Sequence, residues 1–141
     1  MMAGEGVSFQ IDVREVELAA AELALGAEKV AQVLATEIMA QSLRTVERVK
    51  KDMPIDTGRA RASWGSLEGV FQPGDGIWDV EDGGLTVIQG SNVEYIPTLN
   101  EGHSQQAPAG FIDAAAADAD EEINRRIGDA LVNAALARLA K

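Results

Sequence analysis

The sequence divides at one stretch, Pro54-Ile55-Asp56-Thr57-Gly58-Arg59-Ala60-Arg61-Ala62-Ser63, where a long helical pattern stops and an alternating pattern begins. Proline cannot continue a helix, aspartate and threonine side chains can bond nearby backbone groups, and glycine tolerates a positive φ. Arg59 and Arg61 then follow at strand spacing, which would place both guanidinium groups on one face. We therefore predict a tight helix-to-strand turn formed by four residues: Pro54, Asp56, Thr57 and Gly58.

Upstream of this junction, the sequence predicts a strand followed by a long helix. Residues 7–13 alternate apolar and polar side chains, which is typical of a half-buried strand. Residues 15–51 contain no proline and one glycine, and their apolar residues recur at helical spacing: Leu23, Ala27, Val30, Leu34 and Ile38. A helix over that whole range would span roughly 55 Å. Since this exceeds the diameter of a globule of this size, we expect the helix to break near Gly26 or to lie across a partner.

Downstream of the junction, the period changes to that of strands. Residues 62–91 contain three short β-prone runs, separated by the turn clusters 73–76 and 81–84. Two turns between three such runs predict an antiparallel meander. Both tryptophans, Trp64 and Trp78, fall in these runs, and we expect both to be largely buried.

The remaining segments complete one domain over residues 1–141, a length that can bury a sizeable core. Residues 111–141 repeat an apolar face at helical spacing and predict a C-terminal helix. The predicted fold class is α+β: an antiparallel β-meander with a long N-terminal helix and a C-terminal helix packed on it, and an N-terminal edge strand. We expect residues 1–6 to be flexible and residues 100–110 to form a mobile loop, because they have little apolar surface to bury.

The charge of the chain is acidic but uneven. A net charge of −11 argues against wrapping nucleic acid, whose phosphates require Lys and Arg. Residues 44–61 instead carry six cations against three carboxylates, a net +3, which leaves −14 for the rest of the chain. Such a basic patch on an acidic body is expected of a subunit that self-associates or docks on a partner. The alternative is a solvated helix end whose cations favour the C-terminal dipole.

Composition also limits the cellular context. The chain has no cysteine, which excludes a disulfide framework and thiol chemistry. It has no apolar run of about 18 residues, and its first residues lack the basic start and apolar core of a signal peptide. We therefore expect a soluble protein made in the cytoplasm.

Three groups of residues could carry chemistry, and each has a simpler explanation. His103 is the only histidine and there is no cysteine to share a metal, so a surface loop histidine is favoured. The carboxylates between Asp113 and Glu122 lack the spacing and the glycine of a calcium loop. Those between Asp75 and Asp82 could gather a divalent cation, but turn formation needs no ion. We predict no catalytic residue, no cofactor and no metal site, and hence a protein that is not an enzyme.

The junction resembles the hallmark of a tail-component family of long-tailed bacteriophages, in which a long helix ends in Pro-Val-Asp-Thr-Gly, followed by Leu-Arg and a small-residue strand. Two later stretches resemble the family in the same order. Tyr95-Ile96-Pro97-Thr98-Leu99-Asn100-Glu101-Gly102 is similar to its tyrosine-led stretch, and Ala107-Pro108-Ala109-Gly110-Phe111-Ile112 approximates its proline–phenylalanine pair before a final helix. The resemblance covers roughly residues 25–125. The chain departs from it at Ala60, where leucine is usual, and at His103, where threonine is common.

The resemblance implies a structural virion protein of the phage neck or tail. Such a tail-completion (head-to-tail joining) or tail-terminator protein forms a ring, usually a hexamer, between the head connector and the tail tube. DNA would pass through its lumen without specific binding, and an acidic wall would let DNA slide. The implied partners are further copies of the chain, neck or connector proteins and tail-tube proteins, with no membrane.

The basic segment and the resembling motifs together predict an assembly surface of eight residues: Arg44, Arg48, Lys51, Arg59, Arg61, Tyr95, Glu101 and Gly102. Two alternatives to a tail-completion ring stay open. One is a head-side stopper or adaptor protein of the same neck, which would dock on a different partner. The other is a small cytoplasmic binding or regulatory module that dimerises through its long helix.

Overall fold

The structure, a computed structural model, describes residues 6–12, 25–53, 58–65, 75–101 and 109–139. It contains both strands and helices, as the two hydrophobic periods of the sequence predict. The strands are β1 (Val7–Asp12), β2 (Gly76–Glu81) and β3 (Thr86–Ser91), with a 3-10 turn at Asp82–Gly84 between the last two. The helices are α1 (Ala27–Asp52), α2 (Arg59–Ser63), α3 (Ile96–Asn100) and α4 (Phe111–Leu139). Helices with an antiparallel sheet confirm the predicted α+β class. In the described ranges, no helix has the length and apolar character needed to cross a membrane.

The sheet has the strand order β1-β3-β2, with both pairs antiparallel. β1 is therefore the predicted N-terminal edge strand, and β2 and β3 are two strands of the predicted meander. The first predicted run of that meander is corrected in part: its described residues, 62–65, contain no strand, because Ala62 and Ser63 end helix α2 and Trp64 follows it. The rest of that run lies in residues 66–74, outside the described residues.

The core lies between one face of the sheet and the two long helices. Its larger cluster joins sheet residues Ile11 and Val87 to α1 through Leu34 and Ile38, and to α4 through Ile127. A second cluster gathers around Trp64 and includes Met53, Ile96, Phe111 and Ile112. The expected burial is confirmed for Trp64, which has no exposed surface, whereas Trp78 on the edge strand β2 is only partly buried.

The long N-terminal helix is interrupted at Gly26. Gly26 has φ +84° and stands between Leu25, which is helical, and the first residue of α1. Arg138, near the end of α4, donates a 2.9 Å hydrogen bond from Nη1 to the carbonyl oxygen of Leu25. This carbonyl group, at the helix interruption, therefore has a side-chain partner. Of the two outcomes expected for this helix, the structure shows the break. Residues 15–24 lie outside the described residues, as do 1–5 and 102–108, which hold most of the predicted flexible segments.

The junction turns the chain into a short helix and not into a strand. Gly58 has φ +73°, as predicted, and immediately precedes α2. Pro54, Asp56 and Thr57 lie outside the described residues. The expectation that Arg59 and Arg61 share a strand face is wrong, because residues two apart on a helix point about 200° apart.

Replacing Gly58 by valine should lower the free energy of unfolding by about 1 kcal/mol or more, since a β-branched residue resists a positive φ. Gly58→Asn is the matched control, because asparagine enters the left-handed region more readily than other side chains. Urea unfolding followed by circular dichroism would measure both. Equal stability of the valine and asparagine variants would contradict a left-handed conformation at this position.

Candidate functional site

Arg59 binds a nearly buried carboxylate. Its Nε donates to Asp75 Oδ2 and its Nη2 to Asp75 Oδ1, both at 3.1 Å, and the Asp75 side chain is only 7% exposed. Nη1 reaches Glu94 Oε1 at 3.4 Å. The hydrogen bonds that Arg59 donates to Asp75 raise the pKa of its guanidinium. This bidentate ion pair connects the first residue of α2 to the residue before β2.

Arg61 bonds the end of α1. Its Nη2 donates to the carbonyl oxygen of Met53 at 2.7 Å and to that of Lys51 at 3.4 Å. The last carbonyl groups of a helix have no partner within the helix, and a cation is favoured beside them. Arg61 therefore joins α2 to the end of α1.

Buried polar side chains continue this connection into the sheet. Ser63 and Ser91 share a 2.6 Å hydrogen bond between their hydroxyl groups. Trp64 Nε1 donates to Gln89 Oε1 at 2.9 Å, and Gln89 Nε2 donates to the carbonyl oxygen of Ser42 at 3.0 Å. We call this set the junction clasp: Arg59, Arg61, Ser63 and Trp64 with their partners Asp75, Gln89 and Ser91.

The two arginines of α1 in the predicted surface lie beside α4. Arg48 forms an ion pair with Asp118, and both side chains remain about half exposed. Arg44 Nη2 donates to Gln41 Oε1 at 2.9 Å, and Gln41 Nε2 donates to Glu122 Oε2 at 3.0 Å. These contacts connect the C-terminal half of α1 with the N-terminal half of α4.

The eight residues predicted as one assembly surface are thus distributed over separate places. Lys51 is exposed in the last turn of α1, and Glu101 is exposed just after α3. Tyr95 is half-buried against the cluster around Trp64 and interacts electrostatically with Arg59. Gly102 lies outside the described residues. The structure brings Arg59 and Tyr95 together, while Arg44 and Arg48 lie with α4.

Sequence reasoning missed the partner residues of the junction clasp. Asp75 was interpreted as a turn residue, and Gln89 and Ser91 were not singled out. One available signal was the spacing along β3: Gln89 and Ser91 lie two and four positions after Val87, so all three side chains point to its buried face. Polar residues at inward strand positions require hydrogen-bond partners, which predicts a buried network.

Reversing the charge of Arg59 should lower the melting temperature, because a glutamate there would face the nearly buried carboxylate of Asp75. Lys51→Glu is the control, since substitution at this exposed position should change stability by no more than about 0.5 kcal/mol. The double variant Arg59→Glu with Asp75→Arg should recover part of the loss. Thermal unfolding of the three variants tests this, and equal melting temperatures for Arg59→Glu and Lys51→Glu would contradict a structural role for the pair.

The hydrogen bonds of the junction clasp connect elements of one subunit to each other.

Among the residues that the structure describes, no group of three or more His, Cys, Asp or Glu side chains is close enough to hold a metal ion. Comparison of the chain with protein-family models, with curated proteins and with solved structures found no match.

Proposed function

We propose that this chain is a structural subunit of a bacteriophage neck or tail, which forms a ring that completes the tail and joins it to the head connector. The observation that carries the proposal is the junction at the end of the long helix, Pro54 to Ser63, with the motif order that follows it. In such a protein the junction has a mechanical purpose. A ring that transmits force between head and tail needs subunits whose helices and sheet cannot shift against one another.

The junction clasp supplies that rigidity. Arg59 holds Asp75, Arg61 holds the end of α1, and Trp64 bonds Gln89 in the central strand. These three contacts join a helix end and the sheet to α2 and the residue that follows it, and each uses a buried or partly buried polar group. The Asp75 carboxylate and the Trp64–Gln89 pair are buried and hydrogen-bonded, and such groups favour one arrangement because any shift would leave them unpaired.

The charge of the chain suits a channel for DNA. A net charge of −11 would make the wall of a ring repel phosphate groups, so that DNA passes without adhering. The exposed cations are then available for protein contacts. Arg44 and Lys51, which are exposed on α1, fit this role better than Arg59 and Arg61, which are partly buried and hold α2 to Asp75 and to the end of α1.

Deletion of the gene from a phage that carries it tests the function. A tail-completion protein predicts separate DNA-filled heads and tails in electron micrographs of the lysate, and few joined particles. A tail terminator predicts tails of irregular length, since nothing closes the growing tube. The wild-type gene supplied in trans should restore joined, infectious particles in either case.

Other outcomes of the deletion would point elsewhere. Normal tails with heads that have lost their DNA would indicate the head-side stopper. Normal numbers of joined particles, with altered timing or yield of lysis, would contradict the structural proposal and favour a regulatory module.

A further inference from the structure

The two faces of the sheet differ in what covers them. Ile11 and Val87 face the helices and belong to the main core cluster. The alternate residues of each strand point to the other face of the sheet. Those that are exposed or half-exposed form the outward face: Ser8, Gln10, Asp12, Ile77, Asp79, Glu81, Thr86 and Ile88. None of these residues in the described strands is basic.

The outward face borders a cleft of about 570 Å³ against the first half of α4. We call it the groove, and it is lined by Ser8, Phe9, Gln10, Ile88, Ala116, Ala117 and Asp120. Ile88 and the two alanines give it an apolar centre with room for a side chain. Asp120 lies at its wall, and Asp79 is the direct cross-strand neighbour of Ile88.

The carboxylates beside the groove crowd one another. A hydrogen bond with Asp79, together with the negative charges of Asp79 and Asp82, raises the pKa of Glu81. A carboxyl pKa raised by folding means that the folded chain holds this proton more tightly than the unfolded chain. The carboxylate crowding therefore opposes folding at pH values above that pKa, and the cost disappears as the pH falls through it. Cations brought beside the groove would also relieve it.

The complementary surface lies on helix α1 of the same subunit. Leu43 is 54% exposed, although it is a large apolar residue in the middle of α1. It follows the buried Ile38 by five positions, which places it roughly 140° around the helix from the side that packs on the sheet. We call this exposed strip the helix ridge, and it contains three cations and one carboxylate around Leu43: Arg44, Glu47, Lys50 and Lys51.

We propose that the groove of one subunit receives the helix ridge of a second copy of this chain. Leu43 enters the apolar centre beside Ile88, and the cations of the ridge meet Asp79, Glu81 and Asp120. The inference rests on the proposed ring and specifies its contact. The groove is lined by residues of β1, β3 and α4, whereas the ridge lies on α1, so the two surfaces share no residue and one subunit can offer both. Such a head-to-tail contact continues from copy to copy and closes into a ring when the rotation allows it.

Disulfide mapping tests the contact, because the chain has no cysteine of its own. Ser8→Cys places a thiol in the groove with little change in size, and Leu43→Cys places one on the ridge. The two single-cysteine proteins are mixed and oxidised, and the heterodimer is measured over time. We expect it to form at least about tenfold faster than the heterodimer of Ser8→Cys with Asn133→Cys, an exposed position on α4, because contact raises the effective thiol concentration.

Charge reversal tests the complementarity. Asp79→Lys with Asp120→Lys, and Arg44→Glu with Lys51→Glu, should each slow cross-linking when both cysteine partners carry the same reversal. Combining a groove-reversed Ser8→Cys protein with a ridge-reversed Leu43→Cys protein should restore the rate. Raised salt should weaken both the loss and the recovery, since exposed charges are screened. Circular dichroism of each variant establishes that it is folded.

The outcomes separate this contact from the proposed function. Heterodimer formation at the control rate, or without recovery in the combined reversal, overturns the groove-and-ridge contact. Predominant Leu43→Cys homodimers also overturn it and indicate a helix-to-helix dimer. Separate heads and tails after gene deletion would still support the neck function if the contact fails. Normal particles after deletion would overturn that function even if the contact forms.

Discussion

Replacement of Trp64 by alanine is expected to lower the free energy of unfolding by about 3–5 kcal/mol. The side chain has no exposed surface and lies in the cluster that joins α1, α2, α3 and α4. Its ring packs against that of Phe9, with centroids 5.8 Å apart, so β1 also depends on it. The substitution removes this packing and leaves Gln89 Oε1 without its indole donor. Urea unfolding followed by far-ultraviolet circular dichroism would measure the loss.

Two control variants distinguish burial from hydrogen bonding. Trp64→Phe keeps much of the apolar volume and removes the indole N–H, so its cost should approach that of one unsatisfied buried acceptor, about 1–3 kcal/mol. Trp78→Ala should cost less than Trp64→Ala, because Trp78 is only partly buried on the edge strand. A larger loss at Trp78 than at Trp64 would show that the core is centred elsewhere.

Gly90→Ala is expected to destabilise the protein by about 1–3 kcal/mol, because β1 and β3 approach too closely there for any side chain. A Cβ atom at this position would lie 2.3 Å from the carbonyl oxygen of Val7 and 2.5 Å from Cβ of Ser8. The clash is with the neighbouring strand and not with a flexible side-chain end, so the strands themselves must separate. Chemical unfolding would measure the loss, and proteolysis should show earlier cleavage near β1.

Gly128→Ala is the matched control for this substitution. Gly128 lies inside α4, and a Cβ atom built there meets nothing within 4 Å. Alanine should therefore stabilise the helix by roughly 0.5–1 kcal/mol. Opposite signs for the same glycine-to-alanine change would support the close strand approach, and destabilisation of equal size at both positions would contradict it.

The parts of the fold that could be predicted from the sequence depend on local patterns. The apolar spacing of Val30, Leu34 and Ile38 indicates α1, and alternation over residues 7–13 indicates β1. The positive φ of Gly58 follows from the turn residues before it. Each of these inferences uses information within a few residues of the feature.

The other parts depend on contacts between distant segments. Arg59 and Asp75 are 16 positions apart, and no local pattern pairs an arginine after a turn with an aspartate before a strand. The spacing of Arg59 and Arg61 fits a strand as well as a solvated helix, and five residues are too few for the helical period to decide. The positions of the predicted assembly residues also depend on contacts between distant segments. The sequence therefore could not show that Arg44 and Arg48 lie beside α4 while Arg59 and Arg61 belong to the junction clasp.

The sheet order has a consequence for the synthesis of the chain. Val7 of β1 pairs with Ser91 of β3, 84 positions later. β1 therefore leaves the ribosome well before the strand with which it pairs has been synthesised. At ordinary translation rates this delay is roughly 4 to 17 s. The neighbouring strands β2 and β3 are joined by a short turn and can pair within microseconds of emerging. We therefore expect the hairpin to form first on α1, with β1 added to it only afterwards.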